Sequence, residues 1–258
     1  MTLRSDTDAF TIRGVIFDLG STLIRFRGAW SDVLAEGRAA MVAYLRNQGY
    51  SLDRETFIQD LETSFDVNFR ERRTDHRERT TRSLVQEALA RQNITNVAPE
   101  HFVEALRRLY APSEACWSAV PGARETLERI RKAGYRLGLI SNASDADNVQ
   151  RLIDASSLRV YFQPIVISAS AGVRKPTASL FEGVIREWGM APGQAVMVGD
   201  MLGEDILGAQ RAGLHQIWVR AEADPALNQE QAGRIIPEVT VARLEDVVGA
   251  IERLAGNG

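Results

Sequence analysis

Four short, almost wholly apolar runs mark the chain: Gly14-Val15-Ile16-Phe17, Leu137-Gly138-Leu139-Ile140, Ile165-Val166-Ile167 and Ala195-Val196-Met197-Val198. Runs this short, with no polar alternation, read as strands covered on both faces, which is the condition of a parallel sheet. The stretches 123–133, 178–188 and 205–212 carry the 3.6-residue apolar spacing of helices and are stopped by Gly134, Gly189 and Gly213. This alternation predicts an α/β fold built on a doubly wound, Rossmann-like parallel sheet. His215-Gln216-Ile217-Trp218-Val219 reads as a fifth strand, and residues 239–241 with a helix over 244–254 finish the sheet. The polar stretch 221–236 reads as a connection.

Residues 25–117 break the rhythm. They contain no strand-like run and several amphipathic windows, so they are expected to form a separate all-helical unit inserted between the first strand and the rest, leaving 1–24 and 118–258 as the α/β domain. Trp30, Val33, Leu34, Met41, Tyr44 and Leu45 share one helix face, Phe57, Ile58, Leu61 and Phe65 a second, and Phe102, Val103, Leu106 and Leu109 a third. All of these are expected in the core of the bundle. Residues 70–83 differ, with six arginines, three acids and no apolar side chain. Such a run fits a solvated face, or a lining that meets an anionic substrate, with Arg73, His76 and Arg77 as the residues to reach it.

Composition narrows the function classes. A net charge of −3 and a pI near 5.8 give no basic field for nucleic acid, and no apolar run approaches the roughly 18 residues of a membrane helix. The polar start Met1-Thr2-Leu3-Arg4-Ser5-Asp6-Thr7-Asp8 lacks the apolar core of a signal peptide, so the cytoplasm is the expected location. Cys116 is the single cysteine, which excludes an intrachain disulfide and a thiolate metal cluster, and it is expected to be buried and inert. Of 31 basic residues only Lys132 and Lys175 are lysine. Lys132 sits in a helix-end signature before Gly134, where any cation suits the dipole. Lys175 lies in Gly172-Val173-Arg174-Lys175-Pro176, where Pro176 disfavours helical geometry and a compact ammonium suits a crowded phosphate site.

The strand ends carry the chemistry. In chain order they present Asp18, then Ser141-Asn142, then Lys175 in the loop after the third strand, then Gly199-Asp200 with Asp205 five positions on. Parallel strands put these ends on one sheet edge, so the carboxylates, a hydroxyl and a lysine are expected to meet in one crevice. Asp205, after Gly203 and before an apolar stretch, also fits a helix N-cap.

These four blocks resemble, in order and spacing over residues 15–219, the four motifs of the haloacid dehalogenase-like (HAD) hydrolase superfamily. A helical insert after the first motif resembles its C1-type cap. The resemblance implies a nucleophilic role for Asp18, which attacks phosphorus and becomes an aspartyl phosphate. It implies that Ser141, Asn142 and Lys175 bind the phosphoryl group, that Asp18, Asp200 and the main-chain carbonyl of Gly20 ligate Mg2+, and that Asp205 orders the metal's waters. The function it implies is a Mg2+-dependent phosphatase of a small phosphorylated metabolite, with no nucleic-acid or membrane partner and an open oligomeric state.

One position departs from the pattern. The superfamily's phosphatases carry a second Asp where this chain has Gly20. A positioned general acid or base is worth about 10²–10⁴-fold, so its loss slows the enzyme rather than abolishing it. His76 and Glu78 are candidate substitutes, or the substrate's leaving group needs no protonation. The family's phosphonatases use a cap lysine, and residues 25–117 contain none. Its 2-haloacid dehalogenases also lack the second Asp, but they typically lose the acid that stands here as Asp200. A 2-haloacid dehalogenase and a catalytically weak phospholigand-binding protein are the alternatives.

Overall fold

In the computed structural model the described residues are 11–256, so the polar start read above for a signal peptide lies outside them. The chain runs β1 (Gly14–Phe17), β2 (Ile24–Phe26), α1 (Trp30–Asn47), α2 (Arg54–Asp75), α3 (Thr81–Arg91), α4 (Pro99–Glu114), β3 (Trp117–Ala119), α5 (Ala123–Lys132), β4 (Arg136–Ser141), α6 (Ala146–Ala155) and β5 (Ile165–Ile167). It continues through α7 (Ser168–Ala171), α8 (Ala178–Trp188), β6 (Ala195–Gly199), α9 (Leu207–Arg211), β7 (His215–Val219), α10 (Pro225–Gln229), β8 (Val239–Val241) and α11 (Val247–Gly256).

Six strands form one parallel sheet in the order β5-β4-β1-β6-β7-β8. Successive strand residues point to opposite faces, and both faces are covered. Val15, Phe17, Leu139, Val198 and Ile217 pack with Leu127 of α5, Ile153 of α6 and Ile251 of α11. Ile16, Ile140 and Met197 pack on the other side with Phe181 and Trp188 of α8 and Ala209 of α9. The strand order reverses on the two sides of β1, because β4 and β5 are laid to one side and β6, β7 and β8 to the other. The crevice at such a switch point, outside the carboxyl ends of the strands, is where open α/β sheets take ligands.

The insert has its own core, in which Met41, Leu45, Phe57, Leu61, Leu84 and Leu106 are buried among helices α1 to α4. Two expectations about it need correction. The chain enters and leaves it through an antiparallel ribbon in which Ile24, Arg25 and Phe26 pair with Ala119, Ser118 and Trp117, so its margins are strands and not helix. Trp30 and Leu34 lie outside the bundle core, 49% and 44% exposed, as does Val103. Cys116 is half-buried, with its thiol donating to Pro112 O.

The loop between α2 and α3 docks on the α/β unit. Glu78 N donates to Gly172 O, Arg174 N to His76 O and Thr81 N to Ser144 O, while Arg77 bridges Val173. The insert is therefore held both at its antiparallel ribbon and at its α2–α3 loop.

Candidate active site

Strand pairing continues one residue past β1, where Asp18 N donates to Val198 O at 2.9 Å, so the carboxylate starts from a fixed point on the sheet edge. Lys175, 1% exposed, donates its Nζ to Asp18 Oδ1 at 2.5 Å and to Ile140 O at 2.9 Å, and stands 2.6 Å from Asp205 Oδ1. Asn142 fixes the lysine's own backbone, its Oδ1 accepting from Lys175 N at 2.8 Å and its Nδ2 donating to Lys175 O at 3.1 Å. The backbone amide pattern is thus copied by a side chain, which holds the loop where no strand continues.

Asp205 sits in a single π-helical turn, Leu202–Ile206, and its Oδ2 accepts from Met201 N at 2.9 Å. It does not cap the helix that follows, whose N-cap is Ile206. Gly199 makes room for it, since a Cβ there would stand 2.3 Å from the Asp205 carboxylate. Asp200 accepts from Thr22 Oγ1 at 3.1 Å, and its main-chain carbonyl receives Trp218 Nε1 at 2.8 Å and Asn228 Nδ2 at 3.1 Å. Asn228 belongs to α10, inside the stretch expected to be a plain connection, and its Oδ1 also holds Leu202 N at 2.7 Å. Nothing in a polar segment of that kind signals such a role, which exists only once the chain folds back on itself.

One carboxylate oxygen from each of Asp18, Asp200 and Asp205 lies within 4.8 Å of the other two. Three buried acids against one lysine leave a surplus of negative charge. Burial and the neighbouring Asp18 and Asp205 raise Asp200 well above the ordinary carboxylate range. Burial pushes Asp205 up to about 7 against the pull of Lys175, and raises Asp18 against the same pull. Burial works against the Lys175 charge, but Asp18 and Asp205 more than offset it and hold its pKa above the usual lysine range.

A second layer of charge stands beside this cluster. Arg174, 6% exposed, meets Glu78 Oε2 and Glu204 Oε1, both at 3.0 Å. Ser144 and Ser168 donate to Glu78 at 2.9 and 2.8 Å, and Asn142 Nδ2 donates to Glu204 at 2.8 Å. Glu78 is therefore buried against Arg174, Ser144 and Ser168 and does not line the cavity that holds Asp18, which removes it as a proton donor to a leaving group there.

A cavity of about 1020 Å³ opens between the sheet edge and the insert. Asp18, Gly20, Ser141, Asn142, Lys175 and Asp200 line it together; Asp205 is wholly buried behind Lys175. From the charged run it takes Arg72, Arg73 and His76, but Arg77 is exposed elsewhere, and Arg73 pairs with Glu230 at 2.8 Å. The run of residues 70–83 is thus divided, partly solvated, partly facing the cavity and, at Glu78, buried. Arg72 could be found from that run; Arg174 adjoins Lys175 in sequence, yet its partner Glu78 is 96 positions away.

A family model described as haloacid dehalogenase-like hydrolase matches residues 12–213. The chain belongs to the haloacid dehalogenase-like hydrolases. It is 31% identical over 138 residues to the glyceraldehyde 3-phosphate phosphatase of Pyrococcus abyssi, a match that covers 47% of this chain and spans 58% of the relative's length. It is 30% identical over 171 residues to the phosphoserine phosphatase of Thermus thermophilus, covering 66% of this chain and 63% of that one. Among solved structures, the 2-haloacid dehalogenase of Pseudomonas syringae pv. Tomato superposes with a TM-score of 0.66 over 94% of this chain and 99% of that one, at 21% identity, a likeness of fold. Among the described residues of this HAD-like hydrolase no helix is long and apolar enough to cross a membrane.

Proposed function

We propose that this HAD-like hydrolase is a divalent-metal-dependent phosphatase of a small phosphorylated molecule, working through an aspartyl phosphate on Asp18, with residues 25–117 as a cap over the site. The observation that carries the reading is the meeting of Asp18, Asp200 and Asp205 around one ammonium. A surplus of hard carboxylate oxygens at that density fits a divalent cation better than it fits three bare acids, and the raised pKa of Asp200 expresses the same demand. Asp18, Asp200 and the carbonyl of Gly20 would hold Mg2+, which when bound supplies charge neutralisation to the phosphoryl oxygens. The relatives named as phosphatases of small phosphorylated compounds support the same substrate class.

The chain's own residues account for the remaining work. Asp18 Oδ bonds to phosphorus as the bond from phosphorus to the leaving oxygen breaks, and the leaving oxygen takes up a proton. Lys175 lowers the charge on Asp18 and the transferred group, while Ser141 and Asn142 offer hydrogen bonds to its oxygens. Water then attacks phosphorus, the bond to Asp18 breaks, and inorganic phosphate leaves with the carboxylate restored and one proton returned to solvent. Helices of the insert exclude bulk water from this exchange.

The test is phosphate release from a panel of small phosphomonoesters with and without Mg2+, using Asp18→Asn as the blank. Turnover is expected to require the metal and to fall by about 10³-fold or more in the variant. Activity that survives chelation and the substitution together overturns the reading. Gly20 favours one second reading, since a halide leaves carbon without needing a proton. Metal-free halide release from short 2-haloacids, with no phosphate release, would establish it instead.

A further inference from the structure

Among the described residues seven large hydrophobic side chains are exposed, and four of them, Trp30, Leu34, Phe69 and Leu227, line the one cavity that also holds Asp18. Scattered exposed hydrophobics are ordinary, but their concentration in one concave site marks a surface built to be covered. Helical spacing assigned Trp30 and Leu34 to the bundle core; the fold turns them instead into the space opposite the nucleophile.

The ring of Trp30 is held ready. It stacks on Phe26 at 3.8 Å between centroids and 9° between planes, and Trp117 meets both rings edge-on at 5.5 and 5.9 Å. Trp117 in turn reaches the nucleophile's own loop, since a Cβ on Gly20 would lie 3.6 Å from its Cη2. The aromatic wall therefore begins two residues from Asp18 and runs out to Trp30. On the opposite helix the guanidinium of Arg72 lies 4.7 Å from the Phe69 ring centroid, adding a second planar surface to the lining. Displacement at phosphorus places the leaving group opposite the attacking oxygen, so with Asp18 at the sheet edge it extends toward the insert. A cavity of about 1020 Å³ is large for a three-carbon phosphate and suits a ligand with a ring.

Resting on the phosphatase reading, we propose that the substrate is a phosphomonoester with an aromatic leaving group, seated against Trp30 and the Phe26–Trp117 pair behind it. The test compares kcat/KM for benzyl phosphate and ethyl phosphate with Mg2+, since these share an alkoxide leaving group and differ in the ring. Benzyl phosphate is expected to be preferred by about tenfold or more, the scale of one well-packed aromatic contact. Trp30→Ala is expected to lower that preference to within about threefold, and Trp30→Phe to keep most of it. Trp30 is half-exposed in the first turn of α1, so truncation opens no core, and a melting curve for each variant checks this. Benzylphosphonate binding by calorimetry gives a readout independent of turnover, and it is expected to weaken in Trp30→Ala more than ethylphosphonate does. If both esters are hydrolysed with a ratio near one, or the ratio is unmoved by Trp30→Ala, the aromatic seat is overturned and the phosphatase reading stands. If neither ester nor any other phosphomonoester is hydrolysed, the phosphatase reading falls and this inference with it.

Discussion

The ammonium of Lys175 lies 2.5 Å from Asp18 and is shut away from solvent. The same nitrogen also neutralises Asp205, so one lysine is the counter-charge for two buried carboxylates. Replacing it by methionine keeps the volume and strands those acids. Lys175→Met is expected to abolish phosphate release and to destabilise the metal-free chain by about 3 kcal/mol at pH 8, the scale for breaking a buried pair from one side. The loss should shrink at pH 5, where the acids can take up protons. Urea unfolding at the two pH values checks both parts.

The raised acids also set the wild-type response to pH. Asp18, Asp200 and Asp205 keep protons in the folded chain over a range where an unfolded aspartate, with its ordinary value of 3.8, has already lost them. The folded state then binds more protons than the unfolded one, so their contribution to stability falls as pH rises above about 4, and for Asp205 the fall runs through about 7. Lys175 is shifted upward and stays charged throughout that window. Bound Mg2+ needs the same acids ionised. Thermal melts are expected to show a larger gain from Mg2+ at pH 8 than at pH 5; an equal gain at both would mean that the acids are not the metal's ligands.

Much of this site is legible in the sequence because parallel strands bring their ends to one edge. Asp18, Ser141 and Asp200 each follow a short apolar run, and a run of that kind fixes strand, direction and end together. Lys175 is legible by scarcity, one of two lysines. What periodicity cannot reveal is which end of an amphipathic helix reaches past its bundle. Met41 and Leu45 of α1 are buried as their spacing predicts, while Trp30 and Leu34 on the same stripe overhang the insert's core and face the crevice. The pairing of Glu78 with Arg174 is likewise invisible before folding, since each sits in a polar stretch with ordinary surface alternatives.

That pair ties the tip of the insert to the loop carrying Lys175. Glu78→Ala leaves Arg174 buried with Glu204 alone, removes the acceptor of the Ser144 hydroxyl and leaves that of Ser168 to Ala143 O. A cost of about 3 kcal/mol in urea unfolding is expected, since the buried guanidinium loses the more deeply buried of its two carboxylates. Proteolysis at the α2–α3 loop should accelerate in parallel. If stability is unchanged and only KM rises, the pair serves substrate binding and not the docking of the insert.

Gly20 allows the sharpest test of how the leaving oxygen obtains its proton. Its backbone is not in the left-handed region, and a Cβ there meets Trp117 at an ordinary contact distance of 3.6 Å, so the backbone and Cβ of Gly20→Asp are accommodated. Beside the nucleophile, Glu204 is paired with Arg174, Asp205 with Lys175, and Asp200 belongs to the acidic trio that would hold the metal. With a glycine where a carboxyl would stand two residues from Asp18, the rate should depend on how well the leaving oxygen carries charge. Wild type is expected to turn over phenyl phosphate, which releases a phenolate, at least about 10²-fold faster than benzyl phosphate, which releases an alkoxide. Gly20→Asp supplies a donor and should raise the benzyl phosphate rate more than the phenyl phosphate rate, flattening the ratio. A ratio near one in the wild type would instead assign the proton to another group at the cavity, and His76, which lines it, is then the first residue to replace.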